Sequence, residues 1–277
     1  MESALVVQQV CAGILSCGVT TNIATGFLFH DRVSISDVSR RNPLSWAPRG
    51  LWGNGVPGKS PLFGIFWFSI YFLVMCSAIS LLAASFAGVT VSSSERADNL
   101  FNSCACATGS LFLAAAWGGI FTLGRKWALV FASVLLVGCA LLATTGAVLS
   151  KPLSREAVWF ERLTAASISL LGGWSCVAAG LGVGIVTRAY NRGLNATETD
   201  EFSSVTWSPF PIVLASIVGP IGVVFANPVL PLPLAVATLF MPQLRRWHVW
   251  AAAAIAVACS VGAVVTAIIY QSTDEFW

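Results

Sequence analysis

Residues 127–150 read WALVFASVLLVGCALLATTGAVLS, and no Asp, Glu, Lys or Arg interrupts them. A helix needs roughly 20 apolar residues to cross the hydrocarbon core of a bilayer, and this stretch has the length and the composition. Six further uncharged stretches flank it, at 3–29, 60–94, 99–124, 163–187, 202–244 and 247–273. Charged residues are only 10% of the chain, whereas a water-soluble domain carries about a quarter. Apolar residues make up 56% and the mean hydropathy is +0.80. These features predict an all-α, polytopic transmembrane helical bundle, with residues 1–277 as one integral membrane domain.

The same bias excludes much else. A net charge of +3 spread over short islands offers no basic run for nucleic acid. The lipid bilayer is therefore the expected environment. Cys11, Cys17, Cys76, Cys104, Cys106, Cys139, Cys176 and Cys259 all fall in uncharged stretches, where small, reduced, buried side chains are expected rather than disulfides. The start, Met1-Glu2-Ser3, lacks the basic segment of a cleaved leader, so the first span is expected to act as its own insertion signal.

Six stretches are sized for one helix each. The exception, 202–244, is about twice that length and holds Pro209, Pro211, Pro220, Pro228, Pro231, Pro233 and Pro242. Asn227-Pro228 in its middle is a turn signal. The stretch is read as a Pro-rich helical hairpin with two short spans, about 207–226 and 229–243, and a kink at Gly219-Pro220. That makes eight helices; a single bent helix would make seven. Eight spans put Arg32, Arg40, Arg41, Arg49, Lys59, Arg125, Lys126, Arg188, Arg192, Arg245 and Arg246 on one face. The other face receives only Arg96, Lys151, Arg155 and Arg162. Seven spans would blunt this asymmetry, so the positive-inside rule favours eight, with both termini on the less basic face. An organellar inner membrane or an endomembrane would suit such a protein, and the Asn195-Ala196-Thr197 sequon then lies on the basic side as a chance match.

Trp127, Trp159, Trp207, Trp247 and Trp250 fall near span ends, where the ring prefers the headgroup layer. Trp67, Trp117 and Trp174 fall inside spans and require a packing or ligand role. Residues 30–59 form the longest connection, rich in Arg, Pro and Gly with Trp46 and Trp52. They are read as an interfacial loop against lipid headgroups, with a lid or docking surface as the sharper alternative.

Catalytic chemistry is not legible. No Asp, Glu, Lys or Arg falls within a predicted span, and His30 and His248 stand alone at span ends. Cys104-Ala105-Cys106 has no partner at metal-ligand spacing, so no metal site is expected. Gly180, Gly182 and Gly184 lie in an uncharged span with no preceding strand, which suits close helix approach rather than nucleotide binding, as does Ala115…Gly119. Gly172-Gly173-Trp174-Ser175 lacks the second glycine of a nucleophile elbow. No enzyme is predicted, and no cofactor is evident.

The order of landmarks resembles the longer members of the TspO/MBR-related family, the tryptophan-rich sensory proteins. Asn22 sits late in the first span, and Ser34-Ile35-Ser36-Asp37 and Ala47-Pro48-Arg49-Gly50 echo the family's first loop. Gly64-Ile65-Phe66-Trp67-Phe68-Ser69-Ile70-Tyr71 keeps its Trp-x-x-x-Tyr spacing. Ile168-Ser169-Leu170-Leu171-Gly172-Gly173-Trp174-Ser175-Cys176-Val177-Ala178 is similar to its Gly-Trp helix, without the Pro and Tyr that precede Gly-Trp there. The family's Asn-rich tryptophan helix has no clear match near Trp117. The resemblance implies a non-enzymatic protein that binds or moves an apolar or tetrapyrrole-type ligand, a porphyrin or a lipid, in an aromatic-lined helical pocket. Carried over by position, the ligand-binding residues are Trp67, Tyr71, Gly173 and Trp174. Packing between helices would account for the same residues. The alternative function is a structural subunit of a larger membrane complex, respiratory or photosynthetic, or a homo-oligomer.

Overall fold

The computed structural model describes residues 2–34, 61–121, 123, 125–150, 157–192, 210–238 and 247–272. Among these residues every regular element is an α-helix. The order is α1 (Glu2–Ser34), α2 (Pro61–Phe86), α3 (Ser94–Phe121), α4 (Lys126–Leu149), α5 (Trp159–Arg192), α6 (Phe210–Val224), α7 (Leu232–Thr238) and α8 (Trp247–Ser272). The expected all-α membrane bundle is what the described residues form, with eight helices, of which six rather than eight are long and apolar enough to span. Six helices contain segments long and apolar enough to cross a bilayer, in α1, α2, α3, α4, α5 and α8.

The long Pro-rich stretch breaks where Asn227-Pro228 predicts. Within the described residues, α6 runs Phe210–Val224 and α7 runs Leu232–Thr238, with the turn between them. At about 1.5 Å per residue, α6 is roughly 22 Å long. Pro220 lies within it and deprives the Ser216 carbonyl of its helical donor. The parts of the expected hairpin before 210 and after 238, Trp207, the sequon at Asn195 and most of the 30–59 loop lie outside the described residues. Helix α1 continues to Ser34, so the first part of that loop is helical.

Two layers make up the arrangement. Helices α1 to α5 pack as one bundle, with α5 touching α2, α3 and α4. Helices α6 and α7 lean on α5, and α8 packs on α6 and α7. Glycines set the closest approaches. A Cβ at Gly146 of α4 would come within 2.9 Å of the Ser103 carbonyl on α3, and one at Gly219 of α6 within 2.6 Å of Cys259 Sγ on α8. Gly182 faces Ser133 and Leu136 of α4, the close-packing role its spacing implies. All eight cysteines are free. Trp127, Trp159 and Trp250 are exposed at helix ends, as interfacial rings should be.

Helix ends show where local sequence decides structure. Gly88 follows α2 with φ +70°, and the amide of Val89 donates to the Ala84 carbonyl (2.9 Å) while that of Gly88 donates to Ser85 (3.2 Å). This is a Schellman ending, with glycine at the left-handed position. A Cβ at Gly88 would meet open space, so any penalty there is purely conformational. Gly88→Ala should therefore lower stability by roughly 1–2 kcal/mol, measured by denaturant unfolding in detergent. The end of α6 repeats the motif, with bonds from Asn227 to Gly222 (2.7 Å) and Ala226 to Val223 (3.1 Å), but Ala226 holds the left-handed position at φ 49°.

The starts of α3 and α5 meet at one end of the bundle. Ser93 caps α3 through its Oγ, which accepts from the Arg96 amide (3.3 Å). Glu161 reaches back from the first turn of α5 to accept from the Val158 amide (2.8 Å), half of a capping box. Its other oxygen pairs with Arg96 Nε at 3.3 Å. Thus Arg96, expected in a loop, is instead helical and joins the two caps.

Candidate aromatic site

Helices α2 and α5 run antiparallel, and small hydroxyls hold them in register. Ser77 Oγ lies 2.9 Å from Ser167 Oγ and also donates to the Leu163 carbonyl (3.3 Å). That register carries Trp67 of α2 to the level of Trp174 of α5. Their ring centroids are 5.7 Å apart with planes at 72°, an edge-to-face pair. Tyr71 lies one helical turn from Trp67, and the two rings are again edge-to-face at 5.6 Å and 85°. Phe66 adds a fourth ring, 4.8 Å from Trp174. Trp174 is among the largest fully buried side chains, at 1% exposure, whereas Trp67 and Phe66 are only partly buried.

A polar thread runs through this apolar cluster. The Tyr71 hydroxyl donates to Asn22 Oδ1 (2.6 Å), and Asn22 Nδ2 donates to the Leu111 carbonyl (2.8 Å). One tyrosine thereby ties α2 to α1 and α3. Burying a phenol without a partner is costly in hydrocarbon, so the Asn at 22 is what lets Tyr71 sit here at 4% exposure. Tyr71→Phe should cost about 0.6–2 kcal/mol in detergent unfolding, and the double change with Asn22→Leu should recover part of that loss.

Of the four residues carried over by resemblance, three come together: Trp67, Tyr71 and Trp174. Gly173 is elsewhere. A Cβ built there would collide with the carbonyl of Leu230 and lie 2.8 Å from Pro233 Cγ. Its neighbour Gly172 faces the Ala143 carbonyl and Leu230. The two glycines thus form a saddle for the turn before α7, on another side of α5 from the rings. An aromatic slot floored by Gly173 is not what this geometry builds; the partly accessible rings of the cluster are Phe66 and Trp67.

Phe66 and Asn22 complete the cluster without having been assigned to it from sequence. Asn22 had a signal, as one of three side-chain amides in the first span, with Gln8 and Gln9. Phe66 had none beyond its place beside Trp67. Behind the rings, Ser110 of α3 lies 3.0 Å from Cys139 Sγ of α4, whose thiol donates to Ser175 Oγ of α5 at 3.5 Å. These weak bonds join three helices without introducing charge.

Comparison with known proteins finds no family model, no curated protein and no solved structure that matches this chain.

Proposed function

We propose that this chain is a non-enzymatic integral membrane protein that binds a flat apolar ligand, of tetrapyrrole type, against the Phe66–Trp67–Tyr71–Trp174 cluster, in the manner of the TspO/MBR-related proteins it resembles. The observation that supports the reading is the partly open Trp67 ring, backed edge-to-face by Tyr71 and buried Trp174. An apolar surface with a few fixed polar groups is how small-molecule sites are generally built. Here the Tyr71–Asn22 pair is the fixed polar element. Because the Leu230 turn fills the glycine side of α5, the ligand approaches from the α2 side, over Trp67.

The test is titration of the detergent-purified protein with protoporphyrin, followed by tryptophan quenching. Saturable quenching is expected, and Trp67→Ala should weaken it at least tenfold without unfolding the bundle. Linear, non-saturating quenching, unchanged by Trp67→Ala, would rule the site out.

A second reading, a structural subunit of a larger membrane complex, draws on how fully the chain fills its own interior at Gly172 and Gly173. Native mass determination separates the two. A ligand binder purifies alone or as a small homo-oligomer, and a subunit comes away with other chains.

A further inference from the structure

Asn227 is fully buried and uses its side-chain amide in two directions. Its Nδ2 donates to the Ala147 carbonyl in the last turn of α4 (3.0 Å) and to Ser169 Oγ on α5 (2.8 Å). Its Oδ1 accepts from the amides of Val229 and Leu230, both at 3.3 Å, which shapes the turn leading into α7. The last carbonyls of a helix lack intrahelical donors, and the Ala147 carbonyl collects two side-chain donors, Asn227 Nδ2 and Ser150 Oγ (2.9 Å). One residue therefore closes the end of α4 across space and orders its own turn locally.

The consequence reaches the rings. With the turn held this way, Leu230 is buried against Gly172, and its carbonyl sits over Gly173. Gly173 is the residue immediately before Trp174. A packed interior does not deform smoothly, so the seating of the turn on α5 and the position of the Trp174 ring are one arrangement. We propose that Asn227 is a positioning residue: its amide latches the α6–α7 turn onto α4 and α5, and the latched turn sets Trp174 against Trp67. Resting on the ligand-binding reading above, this makes the α6–α8 layer the element that regulates how the ring cluster receives its ligand.

The chemistry of Asn227 supplies the test. Asn227→Asp keeps an oxygen for the Val229 and Leu230 amides but removes the donor to Ala147 and Ser169. It also sets an acidic group at the negative end of the α4 dipole. Ser169→Ala is the milder variant, removing one acceptor and leaving the turn intact. Each is made in the full chain, labelled with 5-fluorotryptophan and kept in detergent without ligand, so the outcome does not depend on whether the cluster binds one. Amide exchange over 222–234 reports the seating of the turn, and the ¹⁹F signals of Trp174 and Trp67, assigned by Trp→Phe changes, report the rings.

The expected result is exchange at least tenfold faster with Asn227→Asp, together with shifts of the Trp174 and Trp67 signals while Trp127 and Trp250 stay put. Ser169→Ala should give the same pattern more weakly, and it carries the test if the Asp variant does not fold. Faster exchange with unmoved Trp174 and Trp67 signals overturns the coupling. Unchanged exchange in every variant that folds overturns the latch.

Discussion

Gly173→Ala should be among the most damaging single-methyl additions available to this protein, costing more than about 3 kcal/mol in detergent unfolding. The added carbon meets the backbone carbonyl of Leu230 and the ring of Pro233. Neither is the loose end of a flexible side chain, so relief requires moving the whole turn or the α5 backbone. The turn is pinned by Asn227 to α4 and α5, which leaves it nowhere to go without breaking those bonds. A contrast makes the prediction specific. A Cβ at Gly13 on α1 would meet nothing within 4 Å, so Gly13→Ala should be neutral or slightly stabilising. Equal losses at the two sites would mean that the close approach over Gly173 is not a feature of the folded protein.

Trp174→Ala is the second large effect. The side chain is 1% exposed and contacts both Phe66 and Trp67, so truncation leaves a cavity walled by aromatic rings. Removing a buried tryptophan of this kind costs about 3–5 kcal/mol. On the functional side, Trp67 loses the ring that backs it, and porphyrin quenching should weaken at least as much as in Trp67→Ala. Trp174→Phe should retain more than half of the lost stability, because the edge-to-face contact with Trp67 needs a ring more than an indole. The two measurements together separate a fold-supporting ring from a ligand-supporting one: recovery of stability without recovery of quenching would assign the indole itself to the ligand.

How much of this was legible beforehand follows from what each feature depends on. The helices were, because a lack of charge over roughly 20 residues is a local property of the chain. The break at Asn227-Pro228 was also legible, since Asn and Pro dictate backbone geometry where they stand. The pairing of Trp67 with Tyr71 needed only helical spacing. Other features depend on which helices become neighbours and in what register, and no local pattern encodes that. Arg96 with Glu161, Tyr71 with Asn22, and the Leu230 carbonyl over Gly173 are all of this type. The family resemblance singled out Trp67 and Trp174, and their rings lie 5.7 Å apart, which helix packing alone would also produce. It also singled out Gly173, and the geometry gives that residue to the turn instead. Adjacent positions on a helix point about 100° apart, so Gly173 and Trp174 serve different partners despite sharing a motif.

The two-layer packing has a consequence for biosynthesis. Every side chain of the ring cluster and its polar thread, from Asn22 to Trp174, lies within the first five helices, whereas the turn proposed to set Trp174 against Trp67 is made only after α6. The final three helices are then a late addition, docked onto a bundle whose aromatic rings take their final seating when the turn arrives. α8 comes last of all and rests on α6 and α7. A nascent chain caught before the turn is made would present the Gly172–Gly173 saddle bare, and the hairpin is what later covers it.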